Sequence, residues 1–258
     1  MPAPDGPTIA AVWPRGTPIV TESRMVSSPS GLLTCFVRFS ARNRNSPVLI
    51  FRYLAVLLTL TVACLPAAHG AEQTIVVVGD SLSSGYGITA EQSWVAMLED
   101  RLQAEGYGYR IVNASIAGDT SAGGLARLPR LLAAHHPTLV VIELGGNDGL
   151  RGQPVATLRD NLAKMIEQSK QSGADVVLAG IQIPPNYGPK YSQALAAVYP
   201  ELAERFHAGL VGFILEGVAL HPELMQPDGI HANAAGQKIV FANMWRVLGP
   251  LLTPRDAG

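Results

Sequence analysis

Cysteine is scarce in this chain. Two occur in 258 residues, Cys35 and Cys64, and both precede the first strand-like run. That leaves neither a disulfide framework nor a thiolate metal set for the rest of the chain. Charge is also low. Asp, Glu, Lys and Arg make up 15% of the residues, the net charge is −1, and no Lys/Arg cluster occurs after residue 52. A nucleic-acid-binding surface is excluded as the main business of the protein. Phosphate-cradling glycine loops are missing too: neither G-x-x-x-x-G-K-[ST] nor G-x-G-x-x-G occurs, which argues against nucleotide chemistry. Finally, no apolar run reaches the roughly 18–20 residues that span a bilayer.

What remains is rich in core-forming residues. The hydrophobic fraction of 48% supports a sizeable buried interior and excludes a mostly disordered chain. Its most apolar stretch, 53–63, follows Arg42, Arg44 and Arg52 and precedes Pro66 and Ala67-Ala68-His69-Gly70-Ala71. A basic flank, a short apolar run and small residues describe a secretory signal over 48–70, cut after Gly70. Residues 1–47 carry scattered arginines and prolines without periodicity, and are expected to be a disordered or non-native leader. The domain itself is expected over 71–258. Residues 1–70 hold six of the 19 basic and two of the 20 acidic residues, which leaves 13 basic and 18 acidic, a balance of −5. Such a protein has no electrostatic pull toward anionic membranes. The expected location is the periplasm or the exterior, without stable membrane insertion.

Beyond residue 74 strand and helix patterns alternate. Apolar runs at 75–78, 110–112, 138–143, 175–181 and 210–215 read as strands or buried segments. Between them, 91–105, 121–135, 154–173, 191–207 and 233–248 show helical spacing. Pro129 falls inside the second helix and should kink or divide it. Repeated strand-then-helix units imply a parallel sheet covered on both faces. There is no internal repeat and no linker, so one domain is expected.

Several polar residues sit where such a sheet builds its crevice, at the C-terminal ends of strands. Ser81 follows the first strand in Gly79-Asp80-Ser81-Leu82-Ser83. Gly118 closes Asn113-Ala114-Ser115-Ile116-Ala117-Gly118 after the second, and Asn147 follows the third between Gly145, Gly146 and Gly149. Near the C-terminal helix stands Asp228-Gly229-Ile230-His231. Serine is a weak nucleophile at neutral pH and needs a base; imidazole titrates in the right range, and a carboxylate fixes its tautomer. Glycine lets a backbone N–H approach a ligand, and an asparagine amide can donate into the same crevice. Taken singly, each is also ordinary turn chemistry. Glu143 and Asp148 flank the Asn147 turn and are expected to be structural hydrogen-bond partners.

In combination these residues are far more specific. They resemble the SGNH hydrolases, also called GDSL esterases, across residues 74–252. The segments Gly118-Asp119-Thr120-Ser121, Gly124-Leu125-Ala126-Arg127-Leu128-Pro129, Glu143 through Gly152, and Pro185-Asn186-Tyr187-Gly188 are similar to a periplasmic branch of that family with thioesterase, arylesterase and lysophospholipase activities. One departure is Ala232, where the family commonly has proline after the histidine. The resemblance implies an α/β fold, a three-layer flavodoxin-like parallel sheet of about five strands with helices on both faces. It implies Ser81 as nucleophile, His231 as base and Asp228 as acid. The oxyanion donors would be the N–H groups of Ser81 and Gly118 and the amide of Asn147. The implied activity is hydrolysis of carboxylic esters and thioesters of small acyl substrates, by a monomer without cofactor or metal. Ile183 and Pro184, with 121–128, are expected to border the acyl cleft. A carbohydrate acetylesterase of the same family and a noncatalytic binding protein on the same fold are the alternatives.

Overall fold

The computed structural model describes residues 73–253. The expected leader (1–47) and signal segment (48–70) lie outside the described residues, as do the two ends of the expected domain.

Five short strands form one parallel sheet. They are β1 Gln73–Gly79, β2 Tyr109–Asn113, β3 Leu139–Glu143, β4 Asp175–Ala179 and β5 Gly209–Val211, in the order β2-β1-β3-β4-β5. In β1, Ile75 through Val78 are wholly buried, as are Val140, Val141 and Ile142 of β3. Strands covered on both faces bury every side chain, which is why they read as continuous apolar runs rather than as alternation.

The helices are α1 Ser81–Ser84, α2 Trp94–Ala104, α3 Ser121–His135, α4 Gly146–Leu150, α5 Val155–Gln171, α6 Pro189–Phe206 and α7 Ala234–Leu248, with short 3₁₀ turns between them. α3 packs on α5 and α5 on α6; separately, α2 packs on α7. These two groups are the layers that sandwich the sheet. Strand order reverses between β1 and β3, and the crevice beyond the strand ends at that reversal is where such sheets place their ligands.

Three expectations are corrected. The helix anticipated over 91–105 begins at Trp94, because Ser93 caps it: its Oγ accepts the Ala96 N–H at 3.2 Å. α3 is one helix across Pro129, so the chain is not divided there. Proline removes one helical donor there, but Leu128 and Leu132 on either side are buried in the core, and their packing outweighs the lost bond. The last apolar run is a strand only over Gly209–Val211; the chain then turns away from the sheet, and the Gly180 N–H donates to Val211 O at 2.7 Å.

Candidate active site

Ser81 is the first residue of α1, directly beyond β1. Asp80 caps that short helix by accepting the Leu82 N–H at 3.0 Å. A residue in the first turn has a backbone N–H with no acceptor inside its own helix. Ser81 therefore presents a hydroxyl and an N–H at the strand end.

The second half of the site comes from the loop before α7. Asp228 Oδ1 accepts the N–H groups of Ile230 at 2.9 Å and His231 at 3.1 Å. That local turn leaves Asp228 Oδ2 2.7 Å from His231 Nδ1. Across 150 residues of sequence, His231 Nε2 lies 2.8 Å from Ser81 Oγ. A carboxylate can only accept, so the partners assign the proton to Nδ1 and leave Nε2 to receive the serine hydroxyl. Partial burial pushes the Asp228 carboxyl up, but the Ile230 N–H, the His231 ring and the His231 N–H together hold it below its ordinary value.

Tyr86 packs its ring against His231, with centroids 4.7 Å apart and planes tilted by 43°. Gln226 Nε2 donates to Tyr86 O at 2.8 Å and to Ala232 O at 3.1 Å. Ala232, where the family commonly has proline, bridges to Met225. The Gln226 N–H also donates to His231 O at 2.7 Å. Main-chain bonds thus restrain the loop where proline would otherwise stiffen it.

Asn147 lies in α4, beyond β3. Its Nδ2 donates to Asp80 Oδ2 at 3.0 Å, so one amide hydrogen is committed next to Ser81. Gly118 sits at φ +79°, in the left-handed region glycine tolerates. Its loop reaches the same rim through the Ile116 N–H, which donates to Gly79 O at 3.0 Å, and through Arg151 Nη2, which donates to Gly118 O at 2.8 Å. Gly118 is not itself part of the cleft wall. Asp148 and Glu143 do bond structurally. Asp148 accepts the N–H and hydroxyl of Ser121 at 2.9 and 2.5 Å, and Glu143 accepts the Asp80 N–H at 3.2 Å.

An open cleft of about 580 Å³ starts at Ser81, Asn147 and His231. Leu150, Ile181, Ile183 and Pro184 form one part of its wall. The segment 121–128 does not border it; Ser121, Gly124 and Leu128 instead form part of the buried face of α3. The wall contains a stretch that sequence reading missed, with Phe213, Leu215, Ala219 and Leu220, joined by Met225 and Ile230. Its position just after the last strand was the available signal, since every such loop opens onto the same rim.

Residues 77–239 match the family model described as GDSL-like Lipase/Acylhydrolase family. The chain belongs to this family. The matched span contains Ser81, Gly118, Asn147, Asp228 and His231. Among its relatives, the esterase TesA of Pseudomonas aeruginosa is 55% identical over 184 residues, covering 71% of this chain and 92% of that protein. The thioesterase 1/protease 1/lysophospholipase L1 of Escherichia coli K12 is 42% identical over 203 residues, covering 79% and 95%. A crystal structure of TesA superposes with a TM-score of 0.68 at 56% identity, covering 70% of this chain and all of that one. As a member of the GDSL-like lipase/acylhydrolase family the chain is an ester-hydrolysing enzyme. No helix among the described residues is long and apolar enough to cross a membrane.

Proposed function

We propose that this chain is a serine esterase that hydrolyses carboxylic ester and thioester bonds of acyl substrates through an acyl-enzyme. It works as a monomer in the periplasm or outside the cell, after loss of the 48–70 signal. One observation carries the reading: the continuous line from Asp228 Oδ2 through His231 to Ser81 Oγ, with gaps of 2.7 and 2.8 Å.

Ser81 Oγ attacks the acyl carbon while His231 Nε2 takes its proton. Asp228 holds the ring and stabilises the imidazolium. The Ser81 and Gly118 N–H groups and the free Asn147 amide hydrogen receive the oxyanion. His231 then protonates the departing alcohol or thiol. Water, giving its proton to the same nitrogen, releases the acid and restores Ser81.

A carbohydrate acetylesterase would need a small polar pocket. A cleft of about 580 Å³ walled by Leu150, Ile181, Ile183, Phe213 and Leu215 supports a longer apolar acyl group instead. The names of the relatives, esterase and thioesterase, agree with activity on both oxygen and sulfur esters.

A fluorophosphonate probe tests the nucleophile. The native enzyme should label and Ser81→Ala should not; labelling that survives the substitution refutes the assignment. A chain-length series of p-nitrophenyl esters and acyl-CoA thioesters, run in parallel, tests the substrate class. A preference for acetyl over octanoyl esters would favour the acetylesterase.

A further inference from the structure

The Asn147 side chain does not stand free in the cleft. Its Nδ2 carries two hydrogens in one plane, so the bond to Asp80 Oδ2 at 3.0 Å dictates where the other points. The helix beneath it cannot do this alone. α4 has five residues, and Gly145, which precedes it, offers no side-chain cap. Asp80, in contrast, is fixed. It is 2% exposed, directly precedes Ser81, and its second oxygen accepts the Leu82 N–H at 3.0 Å.

Charged and titratable groups face Asp80 from every element around it. Glu143 comes from the end of β3 and accepts the Asp80 N–H. Asp119 comes from the loop before α3 and is engaged by Arg127 at 2.9 Å. His231 approaches from the loop before α7, and the buried Tyr199 hydroxyl from α6. Burial pushes the Asp80 carboxyl up to about 6, against the pull of the Leu82 N–H, the Asn147 amide and the His231 ring.

We propose that Asp80 is a positioning residue for the oxyanion hole: its carboxylate holds the Asn147 amide so that the remaining Nδ2 hydrogen faces the carbon that Ser81 attacks. The inference rests on the serine-esterase reading above. Its coupling to Asn147 separates it from a simple field effect. The Asp80 charge opposes a developing oxyanion but favours the His231 imidazolium, so an Asp80 acting by charge alone gives an effect that multiplies with that of Asn147→Ala. An Asp80 acting through Asn147 predicts a loss that vanishes once Asn147 is removed. In Asp80→Asn the new amide keeps an oxygen for the Leu82 N–H but turns an NH₂ group toward the Asn147 donor, which displaces it.

The test is a double-mutant cycle on p-nitrophenyl butyrate, reading kcat and KM for the native enzyme, Asp80→Asn, Asn147→Ala and the double variant. Asn147→Ala should lose about 10²–10³ in kcat. Asp80→Asn should lose about tenfold or more in kcat with KM within about twofold. The double variant should match Asn147→Ala within about twofold, because an effect routed through Asn147 has nothing left to act on. An impaired Asn147→Ala beside an unimpaired or faster Asp80→Asn overturns this inference alone, as do losses that multiply. A native-like Asn147→Ala overturns the oxyanion assignment with it.

Should Asp80→Asn fail to fold, the native site still decides. Of the two Asn147 Nδ2 hydrogens, assigned in the NMR spectrum by their loss in Asn147→Ala, the one bonded to Asp80 should exchange with solvent more slowly than the one facing the cleft. Equal and rapid exchange of both overturns the proposal.

Discussion

The Ser83 hydroxyl donates to Glu143 Oε2 at 2.7 Å, and both side chains are wholly buried. The same oxygen accepts the Asp80 N–H at 3.2 Å, while the Trp94 indole donates to Ser83 Oγ at 3.3 Å. Glu143 Oε1 has no partner among the described residues. Burial, followed by the charge of Asp80, pushes the Glu143 carboxyl well above its ordinary value. The turn that presents Ser81 thus rests on a buried carboxyl that holds its proton more tightly than an ordinary glutamate does.

That arrangement opposes stability at neutral pH. A carboxyl whose pKa is raised by folding keeps a proton that the unfolded chain releases, so stability falls as pH rises past the unfolded value of 4.5. Asp80 acts in the same direction between 3.8 and about 6. Glutamine mimics the neutral acid without titrating. Glu143→Gln should therefore gain on the native enzyme in thermal midpoint between pH 4.5 and 7.5. Parallel midpoint curves over that range would show that Glu143 is not held neutral.

Gly145 sits at φ +123°, and a Cβ there would lie 2.2 Å from the Tyr199 hydroxyl. That hydroxyl donates to Leu144 O at 2.9 Å in the core. Gly145→Ala should cost about 2–5 kcal/mol, from backbone strain and overpacking together. Tyr199→Phe should cost about 1–3 kcal/mol, by stranding the Leu144 carbonyl. Because the first clash is with the very atom the second removes, the double variant should be more stable than the sum predicts. Denaturant unfolding of all four proteins reads this directly; strict additivity would contradict the contact.

The Tyr86 ring packs tilted against the His231 ring, and its backbone carbonyl is the group tied to Gln226. Its contribution should therefore come from the ring rather than the phenol. Tyr86→Phe should keep native kcat/KM within about twofold, whereas Tyr86→Ala should lose several-fold, in line with an aromatic contact worth about 0.5–1.5 kcal/mol. Equal losses in the two variants would point to the hydroxyl instead.

Much of this architecture is legible in the chain because its signals are local. Ile75 through Val78 form the continuous apolar run expected of a strand covered on both faces, and Ser81 follows them immediately. Asp228 and His231 stand three residues apart and meet within one turn. The Ser81–His231 contact was an inference across 150 residues, carried by the resemblance rather than by spacing. Where local signals mislead, tertiary packing has overridden them. Pro129 stays helical because the core holds Leu128 and Leu132, and Ser121, Gly124 and Leu128 face the core rather than the cleft although Ser121 begins a helix near the rim. The wall from Phe213 to Leu220 is hard to read from residue type for another reason. Apolar residues after β5 look alike whether they fill a core or line a cleft, and only the rim at which the chain turns distinguishes them. The Asp80–Asn147 bond joins the ends of two neighbouring strands, which no sequence interval encodes.

Leu220 offers the cleanest handle on chain length. It is 93% exposed, yet it belongs to the cleft wall. A side chain so exposed contributes almost nothing to folding, so Leu220→Ser should leave the unfolding midpoint unchanged. An acyl chain long enough to reach it would cover it, and burial of that apolar surface then favours binding by about 1 kcal/mol or more. An acetyl group, held at Ser81, cannot reach it. Leu220→Ser should accordingly lower kcat/KM for p-nitrophenyl dodecanoate about 3–10-fold and leave p-nitrophenyl acetate unchanged. An equal loss on both esters would mean that the residue supports the catalytic loops; no loss on either would mean that the chain leaves the cleft by another route.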